Sequence, residues 1–422
     1  MVIQCARCLY TSDHPLGIVF DADGICSGCR IHEEKDSIDW DHRWRELEKV
    51  VSPYRSKVAK YDCIVPVSGA QDSFFILDMV VNKLKLKPLV VSYNKYFNTP
   101  VGIENLARLR IAFDVDFQLK NVNPTIVKRI TKQSLFAYGN PYWPCIAGQT
   151  VYPVQTAVMM KIPLIIWGAH QGLEQVGMFS HLNNVEMSRR YRKDHDLFGV
   201  AAENFSTSYD ELSEEDFLNY RYPAFSDIEE VGVRGLYLGN YVRWDPYAQH
   251  NKMIESFGFK GSNLARTFDS YDHADCFVYS NLHDLLKLYK HGYSKVTDQV
   301  CREIRFGRID RVTGERLITF YENQQPEYMD LFCDWLGVDI RSLHFSLNRH
   351  RNKKFWSEIE PDIWIRNNAT AVASAPPLDK AISYPCVEDL SDEKYERAYI
   401  NIGKGVDWPT RINDRPGEIR WL

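Results

Sequence analysis

The apolar and polar positions between residues 62 and 168 predict strands that alternate with helices. Continuous apolar runs of roughly four to eight residues are typical of strands buried on both faces, and stretches with helical spacing separate them. The predicted strands are 62–67, 87–94, 115–121 and 162–168, and the predicted helices are 72–85, 101–113, 125–139 and 146–161. We therefore expect an α/β fold with a parallel sheet that helices cover on both faces.

The pattern differs on either side of this region. Residues 36–60 predict one connecting helix, 181–230 read as a polar insertion, and 231–366 are rich in aromatic residues at helical spacing. The stretch 181–199 is a solvated segment or, alternatively, an active-site lid. The small-residue sequence "NNATAVASAPPL" predicts a linker into a C-terminal tail. We expect five parts, with bounds 1–35, 36–60, 61–200, 201–366 and 367–422.

Three loops follow predicted strands, at 68–73, 94–100 and 168–177. Ligands of open parallel sheets bind at the carboxyl ends of the strands, so these loops should converge on one crevice. The first, "SGAQDS", enters a helix, whose N-terminal N–H groups suit a phosphate. Gly69 permits close approach of the backbone, Ser68 and Ser73 offer hydroxyls, and Asp72 can cap the helix or hold Mg²⁺. An ordinary capped turn is the alternative.

Two sequence patterns for nucleotide binding are absent. The chain has neither Gly-x4-Gly-Lys-Ser/Thr nor Gly-x-Gly-x-x-Gly after a strand, which excludes a Walker ATPase and a Rossmann dehydrogenase. The 422 residues are 45% hydrophobic and 25% charged with a net charge of −5, which disfavours non-specific nucleic-acid binding. No apolar run approaches the ~20 residues of a membrane span, and the N-terminus does not resemble a signal peptide. A cytoplasmic location is expected.

Four of the ten cysteines predict a metal site. Cys5-x-x-Cys8 and Cys26-x-x-Cys29 are 17 residues apart, which fits the spacing of a closed four-sulfur zinc site. Such a site is structural, and free or disulfide-bonded thiols are the alternative. Cys145 is expected to pack in the interior, and a nucleophilic role is the alternative.

"SGAQDS" resembles the Ser-Gly-Gly-x-Asp-Ser motif of the PP-loop ATP pyrophosphatases. Together with "FDADGICSGC", "VVSYNKYFNTPVGIENL", "YGNPYWPCIAG", "IPLIIWG", "YLGNYVRWD" and "HGYSKVTDQVCREIRFGRIDR", in this order from residue 5 to about 340, the chain resembles the N-acetyl sugar amidotransferase family. The resemblance implies a PP-loop (adenine nucleotide alpha hydrolase-like) sheet that binds ATP and Mg²⁺. It also implies conversion of an acetamido group on a nucleotide-linked surface-sugar precursor into an acetamidino group, as in O-antigen biosynthesis.

The same resemblance implies the site residues. Ser68, Gly69, Ala70, Gln71, Asp72 and Ser73 would hold the nucleotide phosphates, with Asn94 near the nucleotide. Asp72, Ser73 and Glu174 would be catalytic. Substrate would meet Trp167, Gly168, His170, Trp244, Asp245, Arg305 and Arg308, the last two also being readable as a solvated, ion-paired face.

Three positions depart from the family pattern. Ala70 and Gln71 replace Gly and Lys, and Ala169 replaces a carboxylate for which His170 or Glu174 can substitute. If residue 70 requires a positive φ, its Cβ costs about 1–2 kcal/mol. The chain lacks a Gly-x-Cys-x-Gly nucleophile turn, so the resemblance implies a separate glutaminase with a cyclase-like partner as the ammonia source. Alternatives are a tRNA-modifying PP-loop enzyme and a catalytically weakened scaffold that binds a glutaminase.

Overall fold

The computed structural model describes residues 2–205 and 212–367. Its strands are β1 (Cys63–Pro66), β2 (Pro88–Tyr93), β3 (Asp116–Lys120), β4 (Leu164–Trp167), β5 (Arg234–Tyr237), β6 (Trp356–Glu360) and β7 (Ile363–Arg366). Its helices are α1 (Ser27–Ser37), α2 (Trp40–Val51), α3 (Gln71–Leu77), α4 (Pro100–Phe113), α5 (Pro124–Tyr138), α6 (Trp143–Met160), α7 (Gln171–Glu174), α8 (Arg189–Tyr191), α9 (Phe225–Val231), α10 (Pro246–Phe257), α11 (Asp284–His291), α12 (Lys295–Arg305), α13 (Arg311–Glu322), α14 (Met329–Leu336) and α15 (Ile340–Arg349).

Five parallel strands form the central sheet in the order β3-β2-β1-β4-β5. β1 lies in the middle, and its Ile64 pairs with Leu89 of β2 and Ile165 of β4. The chain moves from β1 to one side of the sheet and returns to the other side with β4. A crevice therefore opens at the carboxyl ends of β1 and β4, where the strand order reverses. The expected parallel α/β fold is confirmed.

Local sequence explains where the sheet-flanking helices begin. Thr99 accepts a hydrogen bond from the Gly102 N–H at the start of α4, and Asn123 accepts one from Thr125 at the start of α5. In both helices proline follows the cap, where its missing N–H costs nothing. α5 ends at Gly139 in the left-handed conformation. These caps set the lengths of the connections that bring each strand back in parallel.

Two elements differ from the expected pattern. The fifth strand, β5, lies in the region expected to be mainly helical. It was not predicted because its four residues include Gly235 and are too few for a recognisable apolar run. The long helix expected at 72–85 is α3 followed by a π-helical segment from Asp78 to Lys83. The rest of the region after β5 is mainly helical and ends in the β6–β7 hairpin. The expected tail, apart from Asn367, lies outside the described residues.

The largest core cluster joins the cysteine unit to the sheet and to α12. It contains Cys26, Leu77, Ile166 and Val300, each fully buried. A second cluster packs α5, α6 and α14 around Trp143. Over the part of the chain that the structure describes, no helix is long and apolar enough to cross a membrane.

Candidate functional site

A cavity of about 440 Å³ lies where the three strand-end loops meet. Ser68 and Asp72 line it from the loop after β1, Lys95 from the loop after β2, and Trp167 and Glu174 from the end of β4 and the segment after it. The expected convergence of these loops is confirmed. Side chains of α6, α11 and α12 complete the walls, so the C-terminal helices take part in the same site as the sheet.

The loop after β1 requires glycine at one position. Gly69 has φ +91°, and a Cβ there would lie 2.9 Å from the Gly102 carbonyl oxygen and 3.0 Å from Leu106 Cγ. Ala70 has φ −80° and ψ 170°, an extended conformation that any residue adopts. The condition under which Ala70 would cost 1–2 kcal/mol is therefore not met. Alanine fits this loop without backbone strain.

The two serines of the loop hold its backbone. The Ser68 N–H donates to Ser73 Oγ at 3.0 Å, and the Ala70 N–H donates to Ser68 Oγ at 3.2 Å. No side chain caps α3, so Asp72, in its first turn, is directed to the cavity rather than to the cap. Gln71 is 1% exposed, and neither polar atom of its amide has a partner among the described residues.

Asp72 lies in an acidic environment. Burial raises its pKa to about 7, together with the charges of Asp272, Asp269 and Glu174 and against the opposing charge of Arg302. The pKa of Asp269 is raised to about 6, again mainly by burial. Asp272 lines the cavity, while Asp269 accepts a hydrogen bond from Arg302 at 2.8 Å. Asp72 and Asp272 are therefore the carboxylates that could hold Mg²⁺, since a cation would relieve their repulsion.

Sequence reasoning missed Asp269 and Asp272. Both lie in the stretch "FDSYDHAD", residues 268–275, whose three carboxylates in eight residues were a usable signal. Lys95 was missed as well. It lines the cavity beside Asn94 and forms a buried ion pair with Asp275. Asn94 itself accepts a hydrogen bond from the Tyr96 N–H at 3.0 Å and donates to Asn121 at 2.7 Å.

The loop after β4 is tightly packed around Gly168. A Cβ at Gly168 would lie 2.9 Å from Ile76 Cδ1 and 3.2 Å from the buried Trp244. The Arg192 guanidinium lies over the Trp167 ring at 4.2 Å. His170 is 1% exposed, and its Nδ1 accepts from the Gly172 N–H at 3.1 Å. Burial lowers the pKa of His170 to about 4, so its ring is neutral near pH 7 and does not replace a carboxylate.

Glu174 occupies the neighbourhood of the missing carboxylate. A Cβ on Gly239 would lie 3.6 Å from Ala169 Cα and 3.9 Å from Glu174 Oε1, which places the two residues side by side. Glu174 forms an ion pair with Lys35, which is 2% exposed and also donates to the Trp244 carbonyl at 3.1 Å. Oε1 of Glu174 has no hydrogen-bond partner among the described residues. This geometry favours Glu174 over His170 as the substitute.

The remaining predicted substrate residues already have protein partners. Arg308 pairs with Asp245 and with Glu303, the latter at 2.8 Å. Arg305 donates to the carbonyl oxygens of Glu174 and Gln175 at 3.2 and 2.8 Å. Their roles as substrate ligands stay predictions, because the structure assigns each arginine an internal contact.

The four N-terminal cysteines form the expected cluster. Their sulfur atoms all lie within 4.8 Å of one another, and every side chain is fully buried. Cys5 and Cys29 sulfurs are 3.9 Å apart, and those of Cys8 and Cys26 are 3.6 Å apart. A tetrahedron with metal–sulfur bonds of about 2.3 Å has edges of about 3.8 Å, so the donor set fits a metal ion. The cluster could hold one.

The cysteine unit packs directly on the segment after β4. Ser27 Oγ donates to the Val176 carbonyl at 2.7 Å, and a guanidinium nitrogen of Arg305 lies 3.9 Å from Cys26 Sγ. Arg311 donates to the Cys5 carbonyl at 2.6 Å. A metal ion in the cluster would thus hold the unit that supports Glu174.

Residues 265–370 match the family described as "LPS biosynthesis protein WbpG-like, C-terminal domain". This part of the chain is similar to the C-terminal domain of WbpG-like proteins. The match covers about a quarter of the chain and includes Asp272, α11 and α12, which border the cavity. The match confirms the resemblance to a family of surface-polysaccharide biosynthesis proteins, since the description of the matched family names lipopolysaccharide (LPS) biosynthesis.

One relative and two solved structures are similar to parts of the chain. The uncharacterized protein MJ1599 of Methanocaldococcus jannaschii is 27% identical over 119 residues, which are 28% of this chain and 43% of that protein. The chain thus spans less than half of that relative.

Two solved structures resemble this chain at low TM-scores. NH3-dependent NAD synthetase from Campylobacter jejuni has a TM-score of 0.28 and 10% identity over 46% of this chain and 92% of its own. NMN synthetase from Francisella tularensis has 0.27 and 11% over 52% and 96%. Likeness at this level carries no conclusion about activity.

Proposed function

We propose that this WbpG-like protein is an ATP-dependent amidotransferase of bacterial surface-polysaccharide biosynthesis. It would convert the acetamido group of an N-acetyl sugar, carried on a nucleotide, into an acetamidino group. One observation carries the proposal. In a chain with a lipopolysaccharide-biosynthesis domain, the Ser68–Ser73 loop turns at Gly69 and presents Ser68 and Asp72 to a cavity at the carboxyl edge of a parallel sheet.

The proposed reaction has two steps. The acetamido oxygen attacks the α-phosphorus of ATP, so an O–P bond forms and the bond to pyrophosphate breaks. Ammonia then adds to the activated carbon, AMP leaves with the original oxygen, and a proton is lost from nitrogen. Nucleotide activation is needed because an amide oxygen is a poor leaving group.

The loop contributes to the first step by stabilising charge on the departing pyrophosphate. The hydroxyl oxygens of Ser68 and Ser73 accept backbone N–H bonds, which fixes their positions. Their O–H groups and the N–H groups that start α3 can then donate to phosphate oxygens. Bound Mg²⁺ would supply further neutralisation of the phosphate charge, and Asp72 with Asp272 are the residues to hold it. Zinc is the metal proposed for the cysteine cluster, where it has a structural role.

Glu174 is the proposed acid–base group of the second step. Its Oε1 is free of hydrogen bonds among the described residues, while Lys35 holds the other oxygen. Oε1 is buried and lies 3.9 Å from His181 Nε2. A carboxylate anchored through one oxygen can accept a proton from the attacking ammonia with the other. Ammonia itself is proposed to come from a separate glutaminase that acts with a cyclase-like partner.

The scaffold alternative has lost one of its two supports. It rested on Ala70 and Ala169, and the φ of −80° at residue 70 removes the strain argument against a working loop. The tRNA-modifying alternative gains nothing, since Cys145 is fully buried and burial raises the pKa of its thiol.

Pyrophosphate and AMP release from ATP, with ammonium salt and a panel of N-acetylated nucleotide sugars, tests the proposal. Asp72→Ala should abolish release of both products while its metal content stays equal to wild type. Wild-type rates in Asp72→Ala would contradict the site, and adenylylation of tRNA instead of a sugar would contradict the substrate class.

A further inference from the structure

One wall of the cavity is basic and lies apart from the phosphate loop in sequence. Helix α11 and the first residue of α12 supply Lys287, Lys290 and Lys295, all of which line the cavity. Lys287 is neutralised by an ion pair with Asp298. Lys290 donates to the Tyr138 carbonyl at 2.9 Å, and Lys295 donates to the Tyr279 carbonyl at 2.7 Å.

Lys290 and Lys295 lack carboxylate partners. Within residues 2–205 and 212–367, neither ammonium has a carboxylate oxygen within the 4.0 Å that defines an ion pair. Asp284, at the start of α11, already accepts from the Arg266 guanidinium at 2.8 Å and from the Lys295 backbone N–H at 2.7 Å. Two positive charges are therefore partly desolvated and have backbone carbonyls, but no direct ion pair, as partners among the described residues.

Holding these two ammonium groups away from water costs free energy when the protein folds. Burial lowers the pKa of Lys295 to about 7, with Lys287 also lowering it and Asp284 and Asp272 raising it. The pKa of Lys290 is lowered by burial too. A cation held away from water without a counter-charge is unfavourable, and a bound anion recovers that cost. The lysines are thus better suited to an anionic ligand than to the folded structure alone.

Aromatic rings flank the two lysines. Tyr279 and His283 are stacked with centroids 5.0 Å apart, and Tyr142 lies 4.7 Å from Tyr279. Burial keeps the pKa of His283 well below its usual value, so the ring is neutral, and its buried Nδ1 has no partner among the described residues. Flat rings beside cations suit a ligand that combines a ring with an anionic group.

We propose that Lys290 and Lys295, with His283, form an oxyanion subsite for the acceptor substrate, distinct from the Ser68–Ser73 loop that takes the phosphates of ATP. The group bound is a phosphate or a carboxylate of the acceptor. Among the described residues that line the cavity, the other lysines and arginines already have partners. Lys95, Lys287, Arg192 and Arg302 pair with carboxylates, and Arg305 donates to backbone carbonyls, so Lys290 and Lys295 are left for this ligand. The identity of the ligand as acceptor rests on the proposed function, but the subsite itself does not.

The test is calorimetric titration of the full chain, saturated with α,β-methylene-ATP, with uridine diphosphate and separately with glucuronate. The variants are Lys290→Gln and Lys295→Gln, and Lys353→Gln removes an exposed charge from the same region as a matched control. A lost charge-assisted hydrogen bond should weaken the probe that binds by about tenfold or more. A loss for uridine diphosphate assigns the subsite to phosphate, and a loss for glucuronate assigns it to carboxylate. Lys353→Gln should bind as wild type.

Thermal melting guards against a trivial loss of folding. Because the Lys295 ammonium is buried without a direct ion pair among the described residues, the Lys295→Gln variant should melt at the wild-type temperature or above it, even as its affinity for the probe falls. Unchanged affinity in both variants, or failure of both probes to bind wild type, would overturn the inference. So would an equal loss of α,β-methylene-ATP affinity. Absence of turnover with every sugar would count against the proposed function and leave this binding result standing.

Discussion

Exchanging glycine and alanine within the phosphate loop gives two substitutions with unequal expected costs. Gly69→Ala introduces a Cβ at φ +91°, 2.9 Å from the Gly102 carbonyl oxygen and 3.0 Å from Leu106 Cγ. The backbone conformation costs about 1–3 kcal/mol, and the overlap adds about 1–3 kcal/mol. The expected loss in the free energy of unfolding is therefore about 2–6 kcal/mol. The serines that depend on this turn should lose their alignment.

Ala70→Gly is the matched substitution at the next residue. Ala70 has φ −80° and is 7% exposed, so glycine gains nothing from its freedom and gives up a buried methyl group. Greater flexibility of the unfolded chain costs about 0.5–1 kcal/mol, and the lost methyl about 0.8 kcal/mol. We expect a loss of about 1.3–1.8 kcal/mol and pyrophosphate release close to wild type, although glycine is the residue that the family pattern prefers.

Urea denaturation at equilibrium gives both free energies, and pyrophosphate release gives the functional effect. Gly69→Ala should lose activity as well as stability, because the strain lies in the loop that faces the phosphates. Stabilisation by Ala70→Gly of about 1 kcal/mol or more would show that residue 70 adopts a positive φ. Stability of Gly69→Ala within about 0.5 kcal/mol of wild type would refute the assignment of strain to residue 69.

Three further predictions concern the carboxylates and the cysteine cluster. Folding raises the pKa of Asp72 from 3.8 to about 7, so the native state holds a proton that the unfolded state has lost, and stability falls as the pH rises from about 4 to 7. Asp72→Asn should therefore melt at a higher temperature than wild type at pH 8, and this difference should disappear at pH 4. Lys35→Met leaves Glu174 as an unpaired, largely buried charge and should cost about 3 kcal/mol in urea denaturation, part of which Lys35→Met with Glu174→Gln recovers. Cys26→Ser should lose bound metal by elemental analysis, whereas Cys333→Ser, outside the cluster, should keep it.

The sheet was predictable where burial dominates the sequence. β1, β2 and β4 are short apolar runs, and their carboxyl-end loops meet as the parallel topology requires. β5 was not predictable in this way, because Arg234 and Gly235 interrupt its apolar character and pairing with β4 holds it in place. The cysteine spacing gave the cluster, since ligand spacing is a local property of the chain.

The contacts around the site were less predictable because they join distant parts of the chain. Lys35 and Glu174 are 139 residues apart, and Arg305 lies 279 residues from Cys26. Helical spacing placed Arg305 on a basic face, but it could not show that backbone carbonyls occupy the guanidinium. Likewise, the φ at residue 70 depends on how the loop packs, and composition alone does not determine it.

The central claim is that this cavity activates an acetamido oxygen with ATP. The direct measurement is mass spectrometry of the sugar product after incubation with ATP, Mg²⁺, ammonium and an N-acetylated nucleotide sugar labelled with ¹⁸O in the acetamido group. The account predicts an amidine product and transfer of the ¹⁸O label to AMP. Unlabelled AMP, or release of ADP in place of AMP and pyrophosphate, would contradict it.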